Sequence, residues 1–307
     1  MNRPKVVLDC DPGIDDAFAI MCALRFCELE AVTTVSGNVP VQATTRNALY
    51  LLELAGRSDI PVFRGAEQPL RVPSAFADDV HGSSGLGAAP APTPGRGHEP
   101  GSAVDALAHL SSSVDAVIAT GPLTNIAALI EQYPHEAASI PVLHWMGGST
   151  SVGNITNYGE FNAWADPHAV DVVFGSAIPV IMYGLQLTHQ VRMTDHHVDL
   201  LVEGGSATAI ALADFLRFYT LHGAKDGLGQ PMHDPCAVLG ATHATLFSGN
   251  DANMVVITAD SERRGQTVPT NSADADSHTI HVVDCVDDER VLELIIEAAT
   301  EPGLDVG

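Results

Sequence analysis

A single α/β domain built on an open, mostly parallel sheet flanked by helices is predicted by three observations. Over the first 185 residues, apolar β-branched runs alternate with helical periodicities, the pattern of strand–helix–strand crossovers. The 307 residues show no internal repeat, linker or charge block at which the chain would divide, so residues 1–307 are expected to form one unit. Unusual polar clusters recur directly after predicted strands or at predicted helix starts. That is the carboxyl edge of a Rossmann-like sheet, where ligands bind.

The first element carries the densest cluster. Lys5 to Leu8 reads as a buried strand of the parallel kind. Asp9 and Asp11 are two apart and point the same way on an extended chain. Pro12-Gly13 turns the chain, and Asp15 and Asp16 enter a helix continued by Phe18, Ile20, Met21 and Leu24. Acids suit the positive end of a helix, so capping accounts for one or two of the four. The others repel unless a cation or a trapped proton neutralises them. A hard, oxygen-seeking ion such as Ca²⁺ or Mg²⁺ is the simplest resolution. A capped helix after a solvated turn is the plain alternative.

A strand from Ala31 to Ser36 ends at Gly37-Asn38, and a helix from Val41 to Ala55 is stopped by Gly56. Residues 64–102 lose periodicity and are rich in Pro, Gly and Ala. They are expected to form a mobile active-site loop, with hinge glycines around His81. A helix from Val104 to Leu110 precedes a strand from Asp115 to Ala119, which ends in Thr120-Gly121-Pro122-Leu123-Thr124-Asn125. Pro122 is set to open the next helix. Pro141 to Met146 is a strand closed by Gly147-Gly148, followed by a loop from Gly153 to Asn162. Asp166-Pro167 starts a helix, Pro179 to Tyr183 is a strand, and 206–221 is helical. A second active-site loop at 221–233 leads into His233-Asp234-Pro235, which caps another helix. Strands near 253–258 and 279–283 and a helix from Asp287 to Ala299 complete the chain.

Composition narrows the function. A formal charge of −24, from 38 acids against 14 Lys plus Arg, repels nucleic acid and anionic membranes, so neither is expected as a partner. No apolar run is long enough to span a bilayer. The first strand is expected to start by residue 5, so no signal peptide is expected. Five scattered cysteines with no CxxC pair read as reduced thiols in a cytoplasmic protein. No GxGxxG follows a strand and no GxSxG elbow is present, which argues against a dinucleotide site and a serine hydrolase.

Asp9-Cys10-Asp11-Pro12-Gly13-Ile14-Asp15-Asp16 resembles the N-terminal signature of the inosine-uridine preferring nucleoside hydrolases. Thr33-Thr34-Val35-Ser36-Gly37-Asn38, His81-Gly82, Thr120 to Asn125, Met146-Gly147-Gly148, Glu160-Phe161-Asn162 and His233-Asp234-Pro235 follow in that family's order. The resemblance covers nearly the whole chain. It implies the nucleoside hydrolase fold and Ca²⁺-dependent hydrolysis of purine or pyrimidine ribonucleosides to base and ribose, in nucleoside salvage, by a homodimer or homotetramer. It places Ca²⁺ on the carboxylates of Asp11, Asp16 and Asp234 and the main-chain carbonyl of Thr120. Asp11 would also take the proton of the attacking water. Asp15, Asn38 and Asn162 would surround the 2′- and 3′-hydroxyls of the ribose, and Asn154 and Glu160 would hold the 5′-hydroxyl. His233 would donate a proton to the leaving base, with His81 as a second contact to it.

One stretch departs from that pattern. Residues 221–232 are Gly-rich where relatives often place tyrosines over the base, which leaves the base preference open; Tyr219 lies nearby. Trp145 and Trp164 are expected in the core rather than clamping the base. Two alternatives stand beside this one. A Mg²⁺-dependent phosphohydrolase of the haloacid-dehalogenase type also opens with Asp-x-Asp after a strand, but needs a basic group for phosphate. The two lysines, Lys5 and Lys225, sit at the wrong end of the strand and in the Gly-rich loop; an arginine in that role keeps the alternative open. A non-catalytic Ca²⁺-dependent nucleoside or sugar-binding protein needs neither a base nor an acid, whereas Asp11 and His233 are both present.

Overall fold

Val6, Leu8 and Cys10 face one side of the first strand and Val7 the other, and all four are fully buried. This period-2 partition repeats at Ile118 against Val117 and at Met146 against Trp145, so the sheet carries a hydrophobic core on each face. The computed structural model describes residues 3–87, 92–270 and 278–301. In chain order the elements are β1 (Lys5–Cys10), α1 (Ile14–Phe26), β2 (Glu28–Thr34), α2 (Val41–Leu54), β3 (Val62–Arg64), α3 (Asp78–His81), α4 (Ala103–Leu110), β4 (Ala116–Ala119), α5 (Thr124–Gln132), α6 (Pro134–Ala137) and β5 (Leu143–Met146). Then come α7 (Phe161–Ala165), α8 (Pro167–Phe174), β6 (Val180–Tyr183), α9 (Leu185–Thr188), β7 (Arg192–Met193), α10 (Asp195–Gly204), α11 (Ala207–His222) and β8 (Gln230–Pro231). The last are α12 (Asp234–Thr242), β9 (Phe247–Val256), β10 (Thr267–Thr270), β11 (His278–Val286) and α13 (Asp288–Thr300).

Nine strands form one sheet in the order β10-β9-β11-β6-β5-β4-β1-β2-β3. From β11 to β3 every neighbouring pair is parallel, and β9 pairs antiparallel with β10 and β11. The expected mostly parallel single-domain sheet is therefore what the chain builds. The chain winds outward from β1 through β2 to β3, then returns to β4 and winds the other way through β5 to β6. The switch point lies between β1 and β4, where Asp9 stands level with Ala119. Asp11 and Thr120 leave the sheet side by side at this crevice.

Helix α1 is buried along its length from Ile14 to Leu24. A helix apolar on all sides belongs inside, and α1 sits between the sheet and helices α12 and α13. Its first turn holds Asp15 and Asp16 where the positive helix end meets the crevice. Among the described residues, no helix is long and apolar enough to cross a membrane.

The sequence expectations did not include β3, the β7–β8 pair, α10, β10 or the short helices α3, α6, α7 and α9. The first two are only three and two residues long, too short for periodicity to register. The stretch 64–102 is irregular apart from α3, and residues 88–91 of it lie outside the described residues. Its segment 77–87 is seated on the body. Ala77 N donates to Asn38 O (3.0 Å), Asn47 Nδ2 donates to Ser84 O (2.8 Å), and Leu86 is buried.

Asp166, expected only as a helix start, ties three segments together. It is fully buried, caps α8 through Ala169 N (3.1 Å), and accepts from Leu70 N (2.9 Å) and Thr124 Oγ1 (2.8 Å). Replacing it with alanine orphans three buried donors. Asp166→Ala should lower the unfolding free energy in urea by about 2–4 kcal/mol; a loss below about 0.5 kcal/mol would mean that water replaces these bonds.

Candidate active site

A cavity of about 350 Å³ opens at the carboxyl edge of the sheet. Its walls include Asp15, Asn38, His81, Thr120, Asn154, Glu160, Asn162, His233 and Asp234, brought from segments far apart in the chain. Asp11 and Asp16 do not line the wall; they are buried beside it, at 1% and 0% exposure. Nine of the eleven site residues singled out from the sequence thus line one cavity, and Asp11 and Asp16 are bonded to two of them, Asn38 and Thr120.

The floor is a carboxylate cluster. One oxygen from each of Asp15, Asp16 and Asp234 falls within 4.8 Å of the others. Asp15 and Asp16 are in the first turn of α1 and Asp234 is in the first turn of α12, so two helix N-termini converge on the cluster. Asp16 is the most held: Oδ2 accepts from Gly13 N (2.9 Å) and Asn38 Nδ2 (3.2 Å), and Oδ1 accepts from Thr120 Oγ1 (2.8 Å). Asp11 adjoins the cluster through Asn38, whose Nδ2 spans Asp11 O (3.1 Å) and Asp16 Oδ2. Asp11 Oδ2 accepts from Asn38 N (2.6 Å), while its buried Oδ1 has no hydrogen-bond partner.

Burial, and after it the neighbouring carboxylates, push Asp11 and Asp234 well above the usual carboxylate range. The same causes raise Asp15 to about 7, and burial raises Asp16. A cluster whose members each resist ionisation, with a buried oxygen left unpartnered, fits a hard divalent cation. The donors on offer are all oxygens: Asp11, Asp15, Asp16, Asp234 and the Thr120 carbonyl.

The structure separates Asp9 from this group. Its Oδ1 accepts from Thr33 Oγ1 (2.6 Å) and Asn125 Nδ2 (2.7 Å), and it lies off the cavity wall. Asn125 also donates to Thr34 O (3.0 Å) and accepts from Ala66 N (2.9 Å). Asp9 therefore clamps β1, β2 and α5 beneath the site; burial raises its pKa to about 6.

The side wall is built around helix α7. Glu160 caps it: Oε1 accepts from Asn162 N (2.9 Å), and Oε2 accepts from Ala163 N (3.1 Å) and Gly148 N (2.8 Å). Burial raises Glu160 to about 7 despite these donors. Asn154 Oδ1 accepts from Phe161 N (2.9 Å). Asn162 Nδ2 donates to Thr120 O (2.8 Å) and Met146 O (3.1 Å), which ties this wall to the switch point. Trp164 stacks under Arg264 at 3.8 Å and Trp145 is wholly buried, neither of them on the cavity wall.

The far wall carries imidazoles. His81 Nδ1 accepts from Ile14 N (3.0 Å), and burial lowers its pKa to about 4. A main-chain N–H can only donate, so the His81 proton sits on Nε2. His233 pairs through Nδ1 with Thr188 Oγ1 at 2.7 Å. Burial, then His189, His81 and Arg192, hold its pKa down at about 3. Both rings are neutral near pH 7. Sequence reasoning missed His189, which lines the wall 5.7 Å from the His233 ring, and left Tyr219 unplaced; it is buried on the wall 5.8 Å from His81. A polar Thr-His pair soon after β6, at the edge where the other clusters gather, was the available signal for His189. The Gly-rich loop is fastened as well. Arg192 donates to His189 O (2.8 Å) and Gly229 O (3.0 Å) and pairs with Asp226 (2.9 Å).

Buried carboxylates on two helix ends, amides on one wall and neutral imidazoles on the other define an α/β enzyme acting on a small polar molecule. The chain belongs to the inosine-uridine preferring nucleoside hydrolase family, whose model matches residues 6–293; it is a ribonucleoside hydrolase, an N-glycosidase. It is 39% identical over 276 residues to the pyrimidine-specific ribonucleoside hydrolase RihA of Shewanella sp. strain MR-7, covering 87% of this chain and 86% of that one. Its fold superposes on a plant nucleoside hydrolase, PpNRh1, with a TM-score of 0.90 at 32% identity over 97% of this chain and 99% of the other. The purine-preferring ribonucleoside hydrolase from Gardnerella vaginalis gives 0.90 at 30% identity over 97% and 98%. Family membership sets aside the phosphohydrolase alternative.

Two glycines allow Asp11 its place. A Cβ on Gly37 would stand 2.0 Å from Asp11 Oδ2, and one on Gly121 would stand 2.6 Å from Oδ1. Gly37→Ala must therefore displace the Asp11 carboxylate. It should lower kcat by at least about tenfold, because a misplacement near 1 Å costs up to about a hundredfold; wild-type kcat from a folded variant would show that Asp11 need not stay where it is.

Proposed function

We propose that this enzyme hydrolyses pyrimidine ribonucleosides in preference to purine ribonucleosides, with Ca²⁺ held on its carboxylate floor. The observation that carries the catalytic reading is the convergence of Asp11, Asp15, Asp16 and Asp234 with Asn38 and Asn162 on one cavity at the switch point. The base preference is supported by the pyrimidine-specific relatives at 36–40% identity.

Asp11, Asp16, Asp234 and the Thr120 carbonyl would hold the ion, with Asp15 beside them. Bound there, Ca²⁺ would neutralise the repulsion among the carboxylates and would make a water at the site more acidic. Asp11 takes the proton of the attacking water; its Oδ1 has no protein partner to compete for it. Asp15, Asn38 and Asn162 bind the 2′- and 3′-hydroxyls, and with both amide hydrogens of Asn162 given to main-chain oxygens, it meets a hydroxyl as an acceptor. Asn154 and Glu160 take the 5′-hydroxyl. As the C1′–N bond lengthens, positive charge grows on the sugar and the carboxylate floor stabilises it. His233 and His81 meet the departing base as neutral N–H donors, a role imidazole fills when burial suppresses its charged form.

A panel of uridine, cytidine, inosine and adenosine, followed by product chromatography before and after chelation, tests the reading. The expected result is free base and ribose, kcat/KM at least about tenfold higher for the pyrimidines, loss of activity on chelation and recovery with Ca²⁺. Equal turnover of purines, or activity untouched by chelation, removes the corresponding part. Asp11→Asn should lower kcat by about 10²–10⁴-fold with little change in ribose inhibition; near-normal kcat would take the base role away from Asp11.

A further inference from the structure

His233 is positioned by a residue that no part of the foregoing mechanism uses. Thr188 ends helix α9, is fully buried, and does not line the cavity. Its Oγ1 lies 2.7 Å from His233 Nδ1, which is the hydroxyl's hydrogen-bond partner among the described residues. The two segments are locked by main chain as well. Thr188 N donates to Gly184 O (3.1 Å), and Met232 N, next to His233, donates to Val191 O (2.9 Å). The hydroxyl thus reaches the ring from a rigid support.

The direction of this bond follows from a count of protons. If Nδ1 carried the hydrogen, Thr188 Oγ1 would accept it and the hydroxyl's own hydrogen would be left without an acceptor among the described residues. If Thr188 donates, its hydrogen is satisfied and the ring proton must sit on Nε2. Nδ1 is occupied, and His233 lines the cavity. Nε2 is therefore the nitrogen that meets a ligand, and it does so as a donor.

We propose that Thr188 is a positioning residue for the known reaction: its hydroxyl sets the tautomer and orientation of His233, so that an Nε2–H faces the departing base. The inference rests on the reading of His233 as the donor to that base. When the C1′–N bond breaks, its electron pair goes to the base nitrogen and the Nε2–H hydrogen-bonds to the base that receives it. Without the Thr188 hydroxyl, Nδ1 has no donor; the ring can carry its proton there and turn an acceptor toward the base.

The test uses Thr188→Val, which keeps the shape and removes the hydroxyl, Thr188→Ser, which restores it, and His233→Ala. Each is assayed on uridine and on 4-nitrophenyl riboside, whose leaving group needs no hydrogen-bond donor. Thr188→Val should lower kcat on uridine by about 10–100-fold, leave KM and the nitrophenyl substrate within about threefold, and be rescued by Thr188→Ser. Equal losses on both substrates, no loss on either, or failure of serine to rescue would overturn it. Should His233→Ala be selective for uridine while Thr188→Val is not, the Thr188 inference alone fails; should His233→Ala hurt both substrates equally, the donor reading fails and the inference with it. Nitrogen-15 NMR of the His233 ring gives a readout independent of turnover. Wild type should show Nε2 protonated and Nδ1 as an acceptor, and a ring protonated on Nδ1 would overturn the proposal.

Discussion

Mutual repulsion among buried carboxylates is the constraint around which this structure is arranged. Two unit charges about 5 Å apart repel by roughly 3 kcal/mol at an effective dielectric constant near 20, and Asp15, Asp16 and Asp234 are all within 4.8 Å of one another. A few such terms rival the whole folding margin of about 5–15 kcal/mol. The chain offsets them with fixed positive ends and donors. Two helix N-termini point at the cluster, Gly13 N and Asn38 supply N–H groups, and the Thr120 hydroxyl donates across the switch point. The residual repulsion is what a divalent cation bound there would relieve, and its binding would then be linked to the stability of the fold.

The same burial that charges the floor with protons strips them from the far wall. Carboxylates are pushed up, Asp15 to about 7, while the imidazoles of His81 and His233 are pushed down to about 4 and 3. Desolvation disfavours charge on either kind of group. One cavity therefore holds groups that accept protons on one side and neutral N–H donors on the other. On the proposed reading, hydrolysis of a C1′–N bond uses that polarity: positive charge would gather on the sugar over the acids, and electron density on the base beside the donors.

Much of this was legible in the sequence. The apolar run from Lys5 to Leu8 and the strand–helix alternation predict the parallel sheet, and polar clusters after strands predict its functional edge. The four aspartates stand out as one cluster in the sequence, and the resemblance puts Asp11, Asp15 and Asp16 but not Asp9 at the site; the local pattern alone does not divide them. Asp9 and Asp11 share a side of an extended strand, yet the strand ends at Cys10. Asp9 stays with the sheet, bonded to Thr33 and Asn125, while Asp11 swings into the site under Gly37 and Gly121. Asp15, expected at the sugar hydroxyls, falls within the tightest triad because successive residues at one helix start both reach the converging helix α12. Glu160 is the converse case, a wall residue that is also a helix cap. The supports were invisible: Arg192 fastening Gly229 and Asp226, and Thr188 behind His233, act through pairings 37, 34 and 45 residues apart that no local pattern announces.

Those supports explain how a site lined by loops can be selective. Asn162 has both amide hydrogens engaged, Glu160 accepts from three main-chain donors, and His81 is held by a main-chain N–H. Each side chain thus presents one defined donor or acceptor to the cavity instead of a choice of several. A ligand hydroxyl that matches finds its partner already oriented, with little entropy left to lose. A ligand lacking that hydroxyl leaves a buried polar group unpaired, at a cost of about 1–3 kcal/mol for each. If these groups face the sugar as proposed, discrimination against a deoxy sugar would come from what the wall cannot rearrange to satisfy, not from any single strong contact.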